Sequence, residues 1–395
     1  MLIDRRQALW TVAIASLLPT KVLAIPGAPR GPLLPNPTFP ASPDTTPLRV
    51  KTGLRPFRAG TYKLEPEQVG MKYVVHNYGH GGAGITMSWG CAEEVASLVR
   101  ANDANVPNKD VAILGGGVMG MTAAAVLQEK GYKTTIYATD FTPHTTSDVA
   151  GGQWAPSVVE HADRPRHMRI LNTSFGRHVA NGTRYGVSRR DNYTHNRSSE
   201  LDDAAEASGL ARERVELLPF RQIFSGGYKY PTLLVEPPIF LAALRADIQR
   251  RGGRDTFVKK TFRNPQDVEE LRQPTVVNCL GLGSKTVWPD PALSGRKGVL
   301  AMLDAQPELQ YLYSGIGYMF PRQDHVVIGG SLEWEDRIDT SLSDLDKARL
   351  IVKVVRAVFQ GAIPIPDWLS GGSRVLGADM IRSTDRYGGP PPQNP

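Results

Sequence analysis

The chain has 395 residues, of which 41% are hydrophobic and 22% charged, and it carries a formal net charge of +7 with a pI near 9.3. That length buries a sizeable core in one large or two intimate domains, and the mild basicity comes without the Lys/Arg stripe interleaved with aromatics that a nucleic-acid surface requires. The two cysteines, Cys91 and Cys279, make neither a metal spacing nor a disulfide framework, so buried free thiols are expected and no metal site is read from the sequence.

Taken in chain order, Asp4-Arg5-Arg6-Gln7 precedes an apolar run over residues 8–18, and Val22-Leu23-Ala24 offers a small-residue cleavage site. This is the pattern of an export signal, too short to span a bilayer. Residues 1–24 are therefore expected to direct export to the periplasm or beyond, without stable membrane insertion. The paired arginines resemble a signal read by the twin-arginine export machinery; an ordinary secretory signal is the alternative. Its removal would leave a charge of +5. Residues 25–47 are crowded with proline and small polar residues, which predicts an extended, weakly ordered tether.

Folded sequence is expected from residue 48. Tyr73-Val74-Val75-His76 reads as a short strand, and the glycine-dense stretch 77–84 as a loop with close backbone approach. Residues 88–100 read as a helix with Ala92, Val95, Ala96 and Val99 along one face. An apolar strand over 110–114, a glycine-rich turn, a helix over 121–130 and a strand over 133–137 make a βαβ unit. The polar, charged residues 184–199 are expected to form a surface excursion. Beyond them come a helix over 238–251, a buried strand over 275–279, a strand over 326–328 and an amphipathic helix over 342–360.

Gly115-x-Gly117-Val118-Met119-Gly120 lies between a strand and a helix, the context that gives this spacing chemical meaning. The first glycine permits the turn, the second lets backbone N–H groups approach a pyrophosphate, and the third allows close helix–strand packing. Thr139 and Asp140, at the end of the next strand, stand where a ribose contact is expected. The pattern alone does not separate NAD from FAD. The hydroxyl-rich turn Thr145-Thr146-Ser147-Asp148, followed by Val149-Ala150-Gly151-Gly152-Gln153-Trp154-Ala155-Pro156, suits a diphosphate and ribityl chain.

Residues 145–156 resemble the flavin-contacting segment of the D-amino-acid oxidase family. So do Val276-Val277-Asn278-Cys279-Leu280-Gly281-Leu282-Gly283, Asp290-Pro291 and Gly298-Val299-Leu300. The most specific likeness is carried by Thr52-Gly53-Leu54-Arg55-Pro56-Phe57-Arg58 together with Val75-His76-Asn77-Tyr78-Gly79-His80-Gly81-Gly82-Ala83-Gly84-Ile85-Thr86. The resemblance spans residues 48 to about 337, and is weak near 186–210. It implies an α/β fold, with a Rossmann-type FAD-binding domain and a sheet-rich substrate domain.

The resemblance also implies roles. Arg55 falls on the arginine that pairs with a substrate α-carboxylate, a task suited to the planar fork of a guanidinium. Tyr318 matches a tyrosine joining that carboxylate site, and Gly82 a residue whose carbonyl accepts from the substrate amine. Gly81, Ala83, Gly84, Ile85 and Thr86 fall in the flavin-contacting loop, and Lys63 stands where relatives carry an arginine close to the flavin. Tyr313 or Ser314 lies near a lid tyrosine, off by one residue. His76 and His80 read as structural hydrogen-bonding groups rather than a metal pair. For an acidic substrate, Arg322 and Arg337 are the available cations.

The implied activity is FAD-dependent oxidative deamination of D-amino acids to 2-oxo acids, ammonia and hydrogen peroxide, with an amino acid and dioxygen as small-molecule partners. A flavin amine dehydrogenase, a glycine/sarcosine-type oxidase and a non-catalytic flavin-binding protein are the alternatives. A homodimer is compatible with the sequence. The order of the motifs departs from the family, because the arginine and histidine–glycine motifs precede the glycine-rich βαβ unit. This predicts a circular permutation. Residues 48–108 would complete a site formed by a flavin core (about 109–180 and 255–300) and an interleaved substrate domain (about 181–254 and 301–375). The stretch 380–386 faintly echoes the arginine motif, which makes Arg382 a runner-up carboxylate ligand.

Overall fold

A computed structural model describes residues 33–105, 109–220, 226–335 and 340–360. The expected export signal at 1–24, the first part of the tether, Arg337 and Arg382 lie outside the described residues.

Among the described residues the chain forms two sheets. The smaller is built around β4 (Asp110–Gly116), whose Val111, Ala112, Ile113 and Leu114 are fully buried. Such a continuous apolar run is what a parallel strand covered on both faces requires. Its order is β2 (Lys63–Val69), β3 (Lys72–Tyr78), β10 (Thr275–Asn278), β4, β5 (Lys133–Phe141), β9 (Phe257–Lys259). All neighbours run parallel except the β2–β3 hairpin. Helices α1 (Gly84–Ala101), α2 (Val118–Glu129), α3 (Arg164–Asn181) and α5 (Pro237–Gly252) pack their apolar faces into one core with this sheet. α1 begins four residues ahead of the expected helix, so Gly84 to Met87 belong to its first turn rather than to the preceding loop.

The larger sheet runs β1 (Arg49–Arg58), β11 (Leu293–Asp304), β14 (His325–Gly329), β13 (Gly317–Pro321), β12 (Tyr311–Gly315), β6 (Val187–Thr194), β8 (Gly227–Val235), β7 (Glu213–Val215). Period-two alternation separates its faces. From β11, Val299, Ala301 and Leu303 pack with Ala348, Val352 and Val355 of α6 (Asp344–Gln360), whereas Leu300 and Met302 join Phe320 and Leu234 on the opposite face. Each buried valine or isoleucine of α6 contributes about 1.5–3 kcal/mol.

Two expectations are corrected here. Residues 184–199 are not a surface excursion: Val187–Thr194 is an interior strand of the large sheet, paired to β8 and β12, with Asn192 fully buried and donating to Ser314 Oγ at 2.9 Å. The described part of the tether is not loose either. Asn36 donates to the Phe359 carbonyl at 2.8 Å, Arg356 donates to the Ala41 carbonyl at 2.9 Å, and Phe39 packs on Phe359. Prolines that forbid regular structure also present carbonyls with no internal partner, and Tyr311 and Arg356 use them. Cys91 and Cys279 are buried free thiols, as expected.

Candidate functional site

A cavity of about 1200 Å³ runs from the β4–α2 turn to the β1 and β13 strands of the large sheet. At its first end Gly115 turns with φ +110°, and a β-carbon on Gly120 would fall 2.0 Å from the Gly115 carbonyl oxygen, so strand and helix can meet this closely only through glycine. Gly120 thus packs behind the cavity, while Gly115, Gly117, Val118 and Met119 line it. Neither α1 nor α2 is capped by the side chain of its own N-cap residue, and Gly84, Ile85 and Thr86 line the same space as the start of α2. Two helix N-termini facing one cavity make a strong anion site. The cradle fits the diphosphate of a dinucleotide such as FAD.

Thr139 and Asp140 line the cavity beyond this turn, as do Lys260, Thr261 and Arg263, which sequence reasoning passed over. Thr139 and Thr261 hydroxyls lie 3.0 Å apart, joining β5 to the loop after β9. Thr145, Thr146 and Ser147 also line the cavity, but two of their hydroxyls are engaged, one within the turn and one at the first N–H of α2. Thr145 Oγ1 donates to Asp148 at 2.6 Å, and Ser147 Oγ accepts from the Val118 N–H at 3.0 Å. Gly151, Gly152 and Gln153 follow along the wall, where Val235 N–H donates to the Gly152 carbonyl at 2.7 Å and Trp154 N–H to the Leu233 carbonyl at 2.8 Å. Thr86 Oγ1 closes this wall by donating to the Ala155 carbonyl at 2.8 Å.

At the other end stand Arg55, Tyr318 and Gly82, brought together from β1, β13 and the β3–α1 turn. Arg55 sits mid-strand opposite Arg296, and its side chain folds over Gly298. It lies beside the Tyr318 hydroxyl, and burial raises the pKa of that phenol against the lowering effect of the Arg55 charge. Nη1 of Arg55 is buried with no hydrogen-bond partner among the described residues. An unpaired buried guanidinium nitrogen carries a large desolvation cost unless an acceptor reaches it. A carboxylate oxygen is among the acceptors that would satisfy it.

Beside these three stands a group that sequence reasoning missed. Glu200, in the first turn of α4 (Ser199–Ser208), lines the cavity. Burial pushes its carboxyl up to about 7, against the lowering effect of the Val158 N–H, the Ser157 side chain and the charge of Arg55. Its Oε1 accepts from Val158 N–H at 2.9 Å, and Val158 holds φ +56°, a strained value for a β-branched residue. The Val158 carbonyl accepts in turn from the Gly82 N–H at 3.4 Å. Glu200 therefore braces the loop that rests on Gly82. His195, which follows β6, lines the cavity too, with Nδ1 3.4 Å from the Tyr313 hydroxyl; burial lowers its imidazole to about 4.

Several predicted residues take other places. Lys63 lies on the outer hairpin, 3.3 Å from Glu67, and does not line the cavity. Ala83 is fully buried in the α1 core rather than on the cavity wall. Tyr313 is no lid: its side chain is fully buried and its ring packs on Phe359 at 5.2 Å. The β12–β13 pairing closes at Gly315 and Gly317, leaving a single residue at the tip, too short a turn to carry a lid; Ser314 lines the cavity instead. Arg322 is held by Asp324 at 2.8 and 2.9 Å and does not face the cavity. His76 bonds Glu67 and Asn278, whereas His80 lines the cavity and approaches Cys91 Sγ at 3.5 Å, so the two rings have separate partners.

Residues 110–392 match the family model described as FAD dependent oxidoreductase. Among curated relatives, the chain is 27% identical over 263 residues to a D-amino-acid oxidase of Streptomyces coelicolor, covering 62% of this chain and 76% of that one. It is 29% identical over 247 residues to the human D-aspartate oxidase, covering 57% and 69%. A D-amino-acid oxidase of Dictyostelium discoideum is 60% identical over 52 residues, 13% of this chain and 15% of that one. Among solved structures, glycine oxidase from Geobacillus kaustophilus aligns with a TM-score of 0.45 at 17% identity, covering 64% of this chain and 79% of that one.

Proposed function

Because the chain belongs to the FAD-dependent oxidoreductase family, we propose that it oxidises D-amino acids to 2-oxo acids and ammonia, with dioxygen as the acceptor and hydrogen peroxide as the second product. The observation that carries this reading is the buried, unpartnered Nη1 of Arg55 beside the Tyr318 hydroxyl, at the far end of the cavity from the glycine turn. Arg55 takes the substrate carboxylate through its fork and Tyr318 donates to the same group. The Gly82 carbonyl accepts from the amine, which fixes the third point needed to choose one face of the α-carbon. Bound FAD supplies the two-electron acceptor. What the residues contribute is orientation and exclusion of water, a positioning effect worth several orders of magnitude in rate.

The side chain of the substrate meets Glu200, while Arg197 on the same wall is paired with Asp202 and Arg322 with Asp324. Neutral or cationic side chains are therefore favoured over acidic ones. The decisive test is anaerobic flavin bleaching by a panel of D-, L- and N-methyl amino acids, with wild type and Arg55→Ala. The reading requires bleaching by D-amino acids that the variant loses while keeping its flavin. Equal bleaching by the two proteins would overturn it.

We also infer a circular permutation and export. The first is supported by Arg55 and Gly82 lying ahead of the residues matched to the family, and by β3 pairing with β10 inside the flavin sheet. Relinking residues 48–101 behind the rest of the chain should preserve flavin binding, and a colourless product would sink the permutation. Export rests on residues 1–24 alone; recovery of the protein only from the cytoplasmic fraction would refute it.

A further inference from the structure

Away from the cavity, His161, His167 and Asp203 bring one ligand atom each to within 4.8 Å of one another. They come from three segments: the loop ahead of α3, the first turns of α3, and α4. The two imidazoles stack with ring centroids 4.2 Å apart and planes 18° from parallel. His167 is 1% exposed. Nδ1 of both rings is buried with no hydrogen-bond partner among the described residues. Two adjacent imidazoles, each with a buried, unpaired nitrogen, form a costly arrangement unless one group satisfies both.

We infer that His161, His167 and Asp203 bind a divalent cation of the zinc class, with water completing the coordination. Imidazole and carboxylate donors suit such ions. With metal–ligand bonds of about 2.0–2.2 Å, two donors on one ion lie about 3–4 Å apart, so the present spacing closes by side-chain rotation of His161, the half-exposed member on a loop. Arg164 donates to Asp203 Oδ1 at 2.8 Å, and this contact competes with the ion. The same guanidinium also holds Glu206 at 2.7 Å, so it keeps an anionic partner when Asp203 turns to the metal.

The position gives the ion a role. Asp203 follows Glu200 by three residues on α4, hence on the same face. His161 follows Val158 by three residues on the loop that Glu200 braces against Gly82. A cation joining His161 to Asp203 would tie that loop to α4 a second time, behind the pocket wall rather than within it.

The test is zinc titration of the chelator-treated, flavin-loaded full chain by calorimetry, with wild type, His161→Ala and Asp203→Asn. Wild type should bind one equivalent saturably and gain thermal stability. Each variant should bind at least about tenfold more weakly and gain none of that stability. Flavin absorbance verifies that a variant has folded, and Asp203→Asn serves where His161→Ala fails. The inference is overturned if wild type shows no saturable zinc binding, or if folded variants bind as wild type does.

Discussion

The Cα of Gly298 lies so close under the guanidinium of Arg55 that a β-carbon there would fall 2.3 Å from Nη1 and 2.6 Å from Nη2. Gly298 faces Gly53 across the β1–β11 pairing, so a run of small residues opens the floor on which the arginine lies. Gly298→Ala should therefore displace the guanidinium while leaving the flavin in place. Loss of a charge-assisted fork costs about 2–4 kcal/mol, a drop of about 30- to 1000-fold in kcat/KM for D-amino acids. Steady-state kinetics beside an unchanged flavin spectrum check this; unaltered kinetics would show that Arg55 need not lie where it does.

Gly120→Ala acts at the other end. Its β-carbon would meet a backbone oxygen, which cannot yield as a flexible side chain would. Helix α2 must then back away from β4, and the N–H groups of its first turn leave the cavity. FAD affinity should fall at least about 100-fold, read by quenching of flavin fluorescence on titration of the apoprotein.

Glu200 gives the reaction a pH dependence of its own. With its carboxyl raised to about 7, ionisation spreads through the neutral range and places a negative charge near Arg55. That charge weakens the pull of Arg55 on a substrate carboxylate. For substrates with neutral side chains, kcat/KM should decline as pH rises through about 7, and D-lysine should show the opposite trend. Glu200→Gln should flatten both profiles near neutrality. Identical profiles in wild type and variant would remove Glu200 from the pocket's electrostatics.

Acid should unfold the protein early. Burial depresses His76, His178 and His195 to about 4, and His80 and His167 to about 3. Because these folded-state values lie below the ordinary 6.5, the fold favours neutral rings. The stability they contribute is present above about pH 6.5 and is lost as pH falls through their folded values. His178, whose Nε2 lies 3.0 Å from the Ile85 carbonyl, accounts for about 2–3 kcal/mol of this loss. Urea midpoints measured from pH 7 to 4 should fall, and fall less steeply in His178→Gln, which can still donate to that carbonyl.

What could be read from residues alone followed the strength of local signals. The apolar run before Gly115 and the spacing to Gly120 announce a strand, a turn and a helix without help from elsewhere, and all three are present. Arg55 and Gly82 were legible only through family resemblance, since a lone arginine carries no local mark of its partner. Glu200 and His195 escaped notice because β6 is rich in polar residues, and a strand that buries Asn192 by bonding it to Ser314 looks like a surface loop in a one-dimensional pattern. The usable signal was the cap of the next helix, where Ser198 accepts from Leu201 N–H and so sets Glu200 in the first turn. Tyr313 misled for the converse reason: an aromatic beside a glycine turn suits a lid and a core equally, and only the one-residue tip of the β12–β13 hairpin distinguishes them.

The pairing of β3 with β10, and of β1 with β11, has a consequence for biosynthesis. On the ribosome, the strand bearing Arg55 and the turn bearing Gly82 emerge first, yet their sheet partners lie more than 190 residues downstream. Until residues 275–304 have emerged, β1 has only the bridge of Phe57 to His80 at its far end, and β3 has only β2. Such widely separated contacts delay folding, because a long loop must close before they form. The early segment therefore waits with its strand edges open, and the nascent chain becomes able to retain flavin only late in its own translation.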